Sequence, residues 1–338
     1  MLKIKKQFYS LLITSSLASG PVMADNIDSL FYKPQKGEFV STTSYEREIS
    51  SDESVTEVTS GNTVVIKGKL NIDSIEVKEK IDYGYSNNLS LNLEFAYKRT
   101  KFDHDILYNF AFVNNTYRDN SFKNKGHVNP IFGFDYRLFD NKDGIFDINL
   151  GYSPKIHEDK NGDANLLKAD IEKDGKPHEN IANKLIYQFS YGKRNFLIDK
   201  LSYKLFLKNT HFFSSKYKQW NTENETWIDI NTKPYVKNHY GIIMQYNLND
   251  NLSLDLDYSK IRDNREEDTK YVGYNSHPYE WKYGIKLNYA INPKKSLISI
   301  GYKKVSSSIT SSQWSYRYMT QSHEKDGHEV NISYKFKF

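Results

Sequence analysis

The chain has 338 residues, 26% of them charged and 15% aromatic, with 27 Tyr, 19 Phe, no Cys and a formal net charge of +5. That composition excludes a disulfide framework and gives no basis for a nucleic-acid partner. It also lacks the helical runs and the aliphatic share expected of a soluble enzyme of this length.

Residues 1–24 read as a secretory signal peptide. Lys3, Lys5 and Lys6 precede an apolar core around Leu11, Leu12 and Ile13, and Val22-Met23-Ala24 supplies a small-x-small cleavage site before Asp25. The apolar stretch is too short and too rich in Ser and Thr to cross roughly 30 Å of hydrocarbon. Cleavage removes three lysines and no acid, so the formal charge falls from +5 to +2. Residues 25–338 are then expected to form one domain. After the signal there is no run of about 18 apolar residues, so no transmembrane helix is expected. A chain of this kind crosses a membrane only as a closed barrel, because only helices and barrels satisfy every backbone group in lipid.

The first strand is expected over 37–49 or 63–72. Five hairpins follow, each with apolar residues at alternate positions and a tight turn built from Asn, Asp, Gly or Pro. Ile75, Val77, Ile81, Tyr83 and Tyr85 lead through Ser86-Asn87-Asn88 into Leu89, Leu91, Leu93, Phe95 and Tyr97. Phe132, Phe134, Tyr136 and Leu138 lead through Asp140-Asn141-Lys142-Asp143-Gly144 into Phe146, Ile148, Leu150 and Tyr152. Leu185, Tyr187, Phe189 and Tyr191 turn at Lys193-Arg194-Asn195 into Leu201, Tyr203, Leu205 and Leu207. Ile242, Met244 and Tyr246 turn at Asn249-Asp250-Asn251 into Leu252, Leu254, Leu256 and Tyr258. Tyr279, Trp281, Tyr283, Ile285, Leu287, Tyr289 and Ile291 turn at Asn292-Pro293-Lys294-Lys295 into Ile298, Ile300 and Tyr302.

The chain closes on His328 to Phe338, HEVNISYKFKF. Val330, Ile332, Tyr334, Phe336 and Phe338 share one face, and Asn331, Ser333, Lys335 and Lys337 share the other. An aromatic as the last residue resembles the closing strand of Gram-negative outer-membrane barrels, where it serves as the signal read by the barrel assembly machinery. Aromatics gather at strand ends, at Tyr83, Tyr85, Tyr97, Tyr152, Tyr191, Tyr258, Tyr279 and Tyr302, where membrane barrels carry interfacial girdles. The expectation is an all-β, transmembrane, antiparallel up-and-down barrel of about 12 strands, with 14 as the alternative. Its place would be the cell outer membrane, its partners outer-membrane lipids, the assembly machinery and small solutes. No cofactor is expected.

Stretches 102–129, 157–180, 214–226, 263–277 and 306–327 are polar and read as long external loops, opposite short periplasmic turns. Glu79 falls on the lipid side of its strand, which predicts a bulge there. Opposite the apolar stripes, Glu94, Asp147, Asp255, Asp257 and Glu280 are set against Lys98, Arg137, Lys204, Lys208, Lys282, Lys286, Lys335 and Lys337. These would line the lumen as opposed acidic and basic stripes, favouring small polar solutes. Residues 130–156, PIFGFDYRLFDNKDGIFDINLGYSPKI, together with Tyr83-Gly84-Tyr85-Ser86-Asn87-Asn88-Leu89-Ser90-Leu91, resemble the outer-membrane transporters associated with the meta-pathway of phenol degradation. That resemblance implies a barrel passing small, often aromatic, compounds.

Chemistry-bearing groups are sparse. Asp103-His104-Asp105 would suit a rim site activating water, but no second catalytic pair accompanies it, and a solvated loop is the preferred reading. His323, Glu324, His328 and Glu329 have metal-ligand spacing and sit in an expected loop. Asp159, Asn161, Asp163 and Asn165 alternate like calcium ligands without the glycine or terminal Glu of an EF-hand. A passive outer-membrane channel is therefore expected, with an outer-membrane protease or lipid hydrolase, or a surface adhesin, as alternatives.

Overall fold

The computed structural model describes residues 26–60, 62–110, 113–156, 160–161, 182–221, 226–264, 279–313 and 319–338. The predicted signal peptide lies outside them. Among the described residues fifteen strands are formed: β1 (Phe39–Ser60), β2 (Asn62–Gly84), β3 (Leu89–Phe110), β4 (Val113–Asn141), β5 (Gly144–Ser153), β6 (Lys160–Asn161), β7 (Lys184–Lys193), β8 (Leu201–Phe212), β9 (Ser215–Asn221), β10 (Thr226–Thr232), β11 (Tyr235–Asn249), β12 (Leu252–Asp263), β13 (Tyr279–Asn292), β14 (Ser296–Gln313) and β15 (Met319–Lys337). Twelve of them close a barrel in which every neighbour is the next barrel strand in sequence, all antiparallel, and β15 pairs back onto β1. The remaining three, β10, β9 and β6, make a small separate sheet. The barrel is up-and-down with twelve strands; the five predicted hairpins are β2/β3, β4/β5, β7/β8, β11/β12 and β13/β14. Segment 37–49 falls in β1 and 63–72 in β2, which accounts for the first two strands without a further pair.

The distribution of side chains is inverted relative to a soluble sandwich. Among the described residues the buried side chains are mostly polar, including Ser90, Arg137, Ser253, Asp255, Asn288 and Glu329, whereas Phe95, Phe132, Leu207, Leu256, Ile285, Ile300 and Ile332 are exposed. Register explains this. Pairs such as Leu256 with Ile285, and Ile300 with Ile332, put apolar residues side by side around the outside. Polar residues one position away fall inside, since strand side chains alternate. An exposed apolar band closed on itself has lipid as its natural solvent.

Two of the expected loops are strand. Residues 102–110 and 113–129 continue the β3/β4 ladder, through Phe102 opposite Phe122 to Phe110 opposite Val113, and 306–313 and 319–327 continue β14 and β15. Stretch 214–226 holds β9 and the start of β10. Their sequences are mostly polar, although Ile106, Tyr108 and Phe110 alternate within the β3 extension. Stretches 157–180 and 263–277 lie mostly outside the described residues. The expected bulge at Glu79 is also corrected: β2 runs in unbroken register with both neighbours there. The Glu79 carboxylate stays on the outer face and accepts hydrogen bonds from the Ser41 and Thr43 hydroxyls. Register shifts occur instead between Glu94 and Ala96, where β4 carries Asn129 and Pro130, and between Arg137 and Phe139. A bulge is where a strand tolerates a proline, which has no amide to donate.

Candidate functional site

Glu94, Lys98, Arg137, Asp255, Asp257, Glu280, Lys282 and Lys286 all occupy inward register positions, opposite in phase to exposed Phe95, Tyr97, Leu256 and Ile285. They are not arranged as opposed stripes. Acid and base alternate between neighbouring strands and neutralise each other locally. Lys286 Nζ stands 2.9 Å from Asp255, Lys303 Nζ 3.1 Å from Asp257, and Lys282 Nζ 2.9 Å from Glu329 and 3.5 Å from Glu280. Lys325 bridges Glu48 and Glu280, each at 2.8 Å, while Lys78 reaches Glu76 at 3.0 Å and Glu94 at 3.8 Å. Lys98 stands 4.0 Å from Glu76.

Residues 26–38, of which only 37 and 38 fall within an expected strand, lie across the short-turn end of the lumen. Ile27 N donates to Pro293 O at 2.9 Å in the β13/β14 turn, and Lys33 Nζ donates to Asn88 O at 2.8 Å in the β2/β3 turn. Between these anchors Leu30 N donates to Gln245 Oε1 at 2.8 Å, and Gln245 Nε2 donates to Asp28 O at 2.9 Å. Ile27 and Phe31 are fully covered, at 0% and 2% exposure, so the segment is packed into the barrel. Two glycines make room. A side chain on Gly84 would stand 1.9 Å from Gln35 O, and one on Gly192 would stand 2.7 Å from the Phe31 ring. Gly37 turns the chain into β1 with φ of 83°, a conformation glycine adopts without strain.

The segment is tied to the wall by a buried charge cluster. Arg137, 2% exposed, donates through Nε to Asp147 at 2.8 Å, through Nη1 to Asp140 at 2.8 Å and through Nη2 to Phe31 O at 2.6 Å. Arg194 donates to Asp140 at 2.7 and 3.1 Å and lays its guanidinium 5.2 Å from the Phe31 ring centre. Arginine suits this place because its planar fork serves several acceptors at once and also stacks on a ring. Above the segment a cavity of about 360 Å³ is lined by Tyr32, Lys33, Lys80, Arg137, Lys204 and Lys335 together with Asp82, Asp135 and Asp147.

The other sequence candidates separate. Asp103 takes a hydrogen bond from Lys101 at 2.7 Å, and the side chains of His104 and Asp105 lie outside the described residues. His328 and Glu329 are consecutive in β15, not in a loop, so they point to opposite faces: His328 meets Tyr302 outside, Glu329 meets Lys282 inside. They cannot share a metal. Glu324 is exposed and His323 lies in β15 with its side chain undescribed, while Asp159, Asp163 and Asn165 lie outside the described residues. What sequence reasoning missed is the plug, whose only trace is the non-alternating cluster Leu30-Phe31-Tyr32 before Pro34.

Neither family models nor curated proteins match the chain. Among solved structures, an outer-membrane channel from Pseudomonas putida F1 is similar over 92% of this chain and 100% of its own, with a TM-score of 0.54 and 11% identity. A Pseudomonas aeruginosa FadL homologue is similar over 88% of this chain and 90% of its own, with a TM-score of 0.45 and 9% identity. The P. putida toluene transporter TodX is similar over the same shares, with a TM-score of 0.42 and 9% identity. What the first shares with this chain at such identity is the fold.

Proposed function

We propose that the chain is an outer-membrane channel through which small polar solutes diffuse passively. The observation that carries this reading is the charged lumen: a closed apolar wall encloses Glu94, Lys98, Arg137, Asp255, Asp257, Glu280, Lys282 and Lys286, a polar interior that hydrocarbon would not fill. Twelve strands stand between the eight that side chains fill and the sixteen that leave an open pore, so the passage is narrow. In this reading residues 1–24 direct export and are removed, the short turns face the periplasm, and the long hairpins face outward. The likeness of 130–156 to transporters of the phenol meta-pathway supports the barrel and the transport role. The ion-paired wall favours polar cargo over apolar aromatics.

Folded protein in planar bilayers should give discrete single-channel steps. Folded, inserted protein without any step would overturn the channel and raise the hydrolase and adhesin readings.

A second expectation concerns Phe338 as the assembly signal. Its amide donates to Phe39 O at 2.9 Å and its ring meets Phe336 edge-on at 5.1 Å, so it ends the seam of the barrel and remains 76% exposed for a partner to read. Deleting it, or Phe338→Asp, should leave most of the chain unassembled in the periplasm. Normal yield of heat-modifiable, folded protein would refute that role.

A further inference from the structure

Lys204 and Lys335 differ from most of the lumen lysines described above in lacking an ion pair, and from Lys208, which also shows none among the described residues, in lining the cavity beside the 26–38 segment. Lys80, Lys282, Lys286, Lys303 and Lys325 each have a carboxylate partner within ion-pair distance. Among the described residues, Lys204 and Lys335 have none. Each instead faces an aromatic ring of the 26–38 segment: Lys204 Nζ lies 5.9 Å from the Phe31 ring centre, and Lys335 Nζ lies 5.3 Å from the Tyr32 ring centre. Lys335 also donates to Ile27 O at 3.4 Å. A ring face and a long carbonyl contact replace only part of what water gives an ammonium. Both side chains open into the same cavity of about 360 Å³. That volume lies in the range of small-molecule sites.

We infer that this cavity binds a small organic carboxylate, with Lys204 and Lys335 as its cationic contacts. An anion entering between them supplies the missing counter-charge in a confined, low-dielectric space, where one charge-assisted contact counts for more than in bulk water. Asp82, Asp135 and Asp147 offset three of the five basic groups on the same lining, so the charge left over is small. A multiply charged anion such as phosphate would lose more hydration on entry than that charge returns, which favours a single carboxylate. Tyr32, Pro34 and Val40 give the carbon portion an apolar surface. The inference deepens the channel reading by naming a solute class, and rests on it for the route by which solute reaches the cavity.

The test is calorimetric titration of folded protein with sodium butyrate and with sodium phosphate at low ionic strength. Wild type should bind butyrate saturably, at least about tenfold more tightly than phosphate, with affinity falling as salt rises. Lys204→Gln and Lys335→Gln should each weaken butyrate about tenfold or more. Lys204→Arg should retain binding, and Lys295→Gln, in an exposed turn, should match wild type. Heat-modifiable migration checks that each variant is folded. Absence of saturable butyrate binding, equal binding of phosphate, or unchanged affinity in both Gln variants would overturn the proposal. Bilayer conductance separates the two readings: steps without butyrate binding keep the channel and remove the site, and binding without steps does the reverse.

Discussion

Deleting residues 26–36 is expected to raise single-channel conductance severalfold. These residues cross the lumen at its short-turn end, held by Ile27 on Pro293, Leu30 on Gln245 and Lys33 on Asn88. None of those bonds belongs to the barrel ladder, which is complete without them. The wall should therefore close normally while the cross-section that these residues obstruct widens, and a wider passage carries more current. The measurement is step size in planar bilayers for deleted and full-length protein, with heat-modifiable migration as the check on folding. Equal step sizes would mean that the segment does not sit in the conducting path.

Arg137→Met should be the most destabilising single substitution in the wall. It keeps much of the side-chain volume but strips Asp147 of its guanidinium, removes one of the two arginines on Asp140, and leaves Phe31 O without its donor. Removing one partner of a buried ion pair typically costs about 3–5 kcal/mol, because the charge left behind is neither paired nor hydrated. Denaturant unfolding of the inserted protein should show a loss of that order. Adding Asp147→Asn should recover part of it, since the double variant no longer holds the orphaned charge. A single-variant cost below about 1 kcal/mol would show that water reaches the cluster and solvates it.

The sequence made the membrane-spanning wall legible because lipid and lumen impose a two-residue alternation on every strand that separates them. Leu252, Leu254 and Leu256 beside Ser253 and Asp255 are a direct record of that constraint. The polar composition of 102–110, 113–129, 306–313 and 319–327 points to loops although they are strand, and only the Ile106, Tyr108 and Phe110 alternation hints otherwise. Glu79 misled for another reason: two hydroxyls from the neighbouring strand satisfy its carboxylate in place, so no bulge is needed. The inward direction of Lys204 and Lys335 was readable, but not their lack of acidic partners, because ion pairing depends on which strand lies alongside. The plug left least trace. Its hold comes from single contacts to residues as distant in sequence as Gln245 and Pro293, and no local pattern encodes those.

The seam between β1 and β15 brings the two ends of the barrel to one place: Phe338 N meets Phe39 O at 2.9 Å, and Lys337 pairs with Glu38 at 3.0 Å. The seam is strongly non-local, with Lys337 and Glu38 separated by 299 positions. Closing so long a loop costs about 5 kcal/mol of chain entropy, and no hairpin formed earlier repays it. Folding speed is accordingly tied to this one ladder, as high contact order requires. Adjacent termini also make the barrel open to circular permutation. A chain cut at the Asn249-Asp250-Asn251 turn and joined across the old ends would turn the present seam into an ordinary hairpin and move the slow closure to β11 and β12.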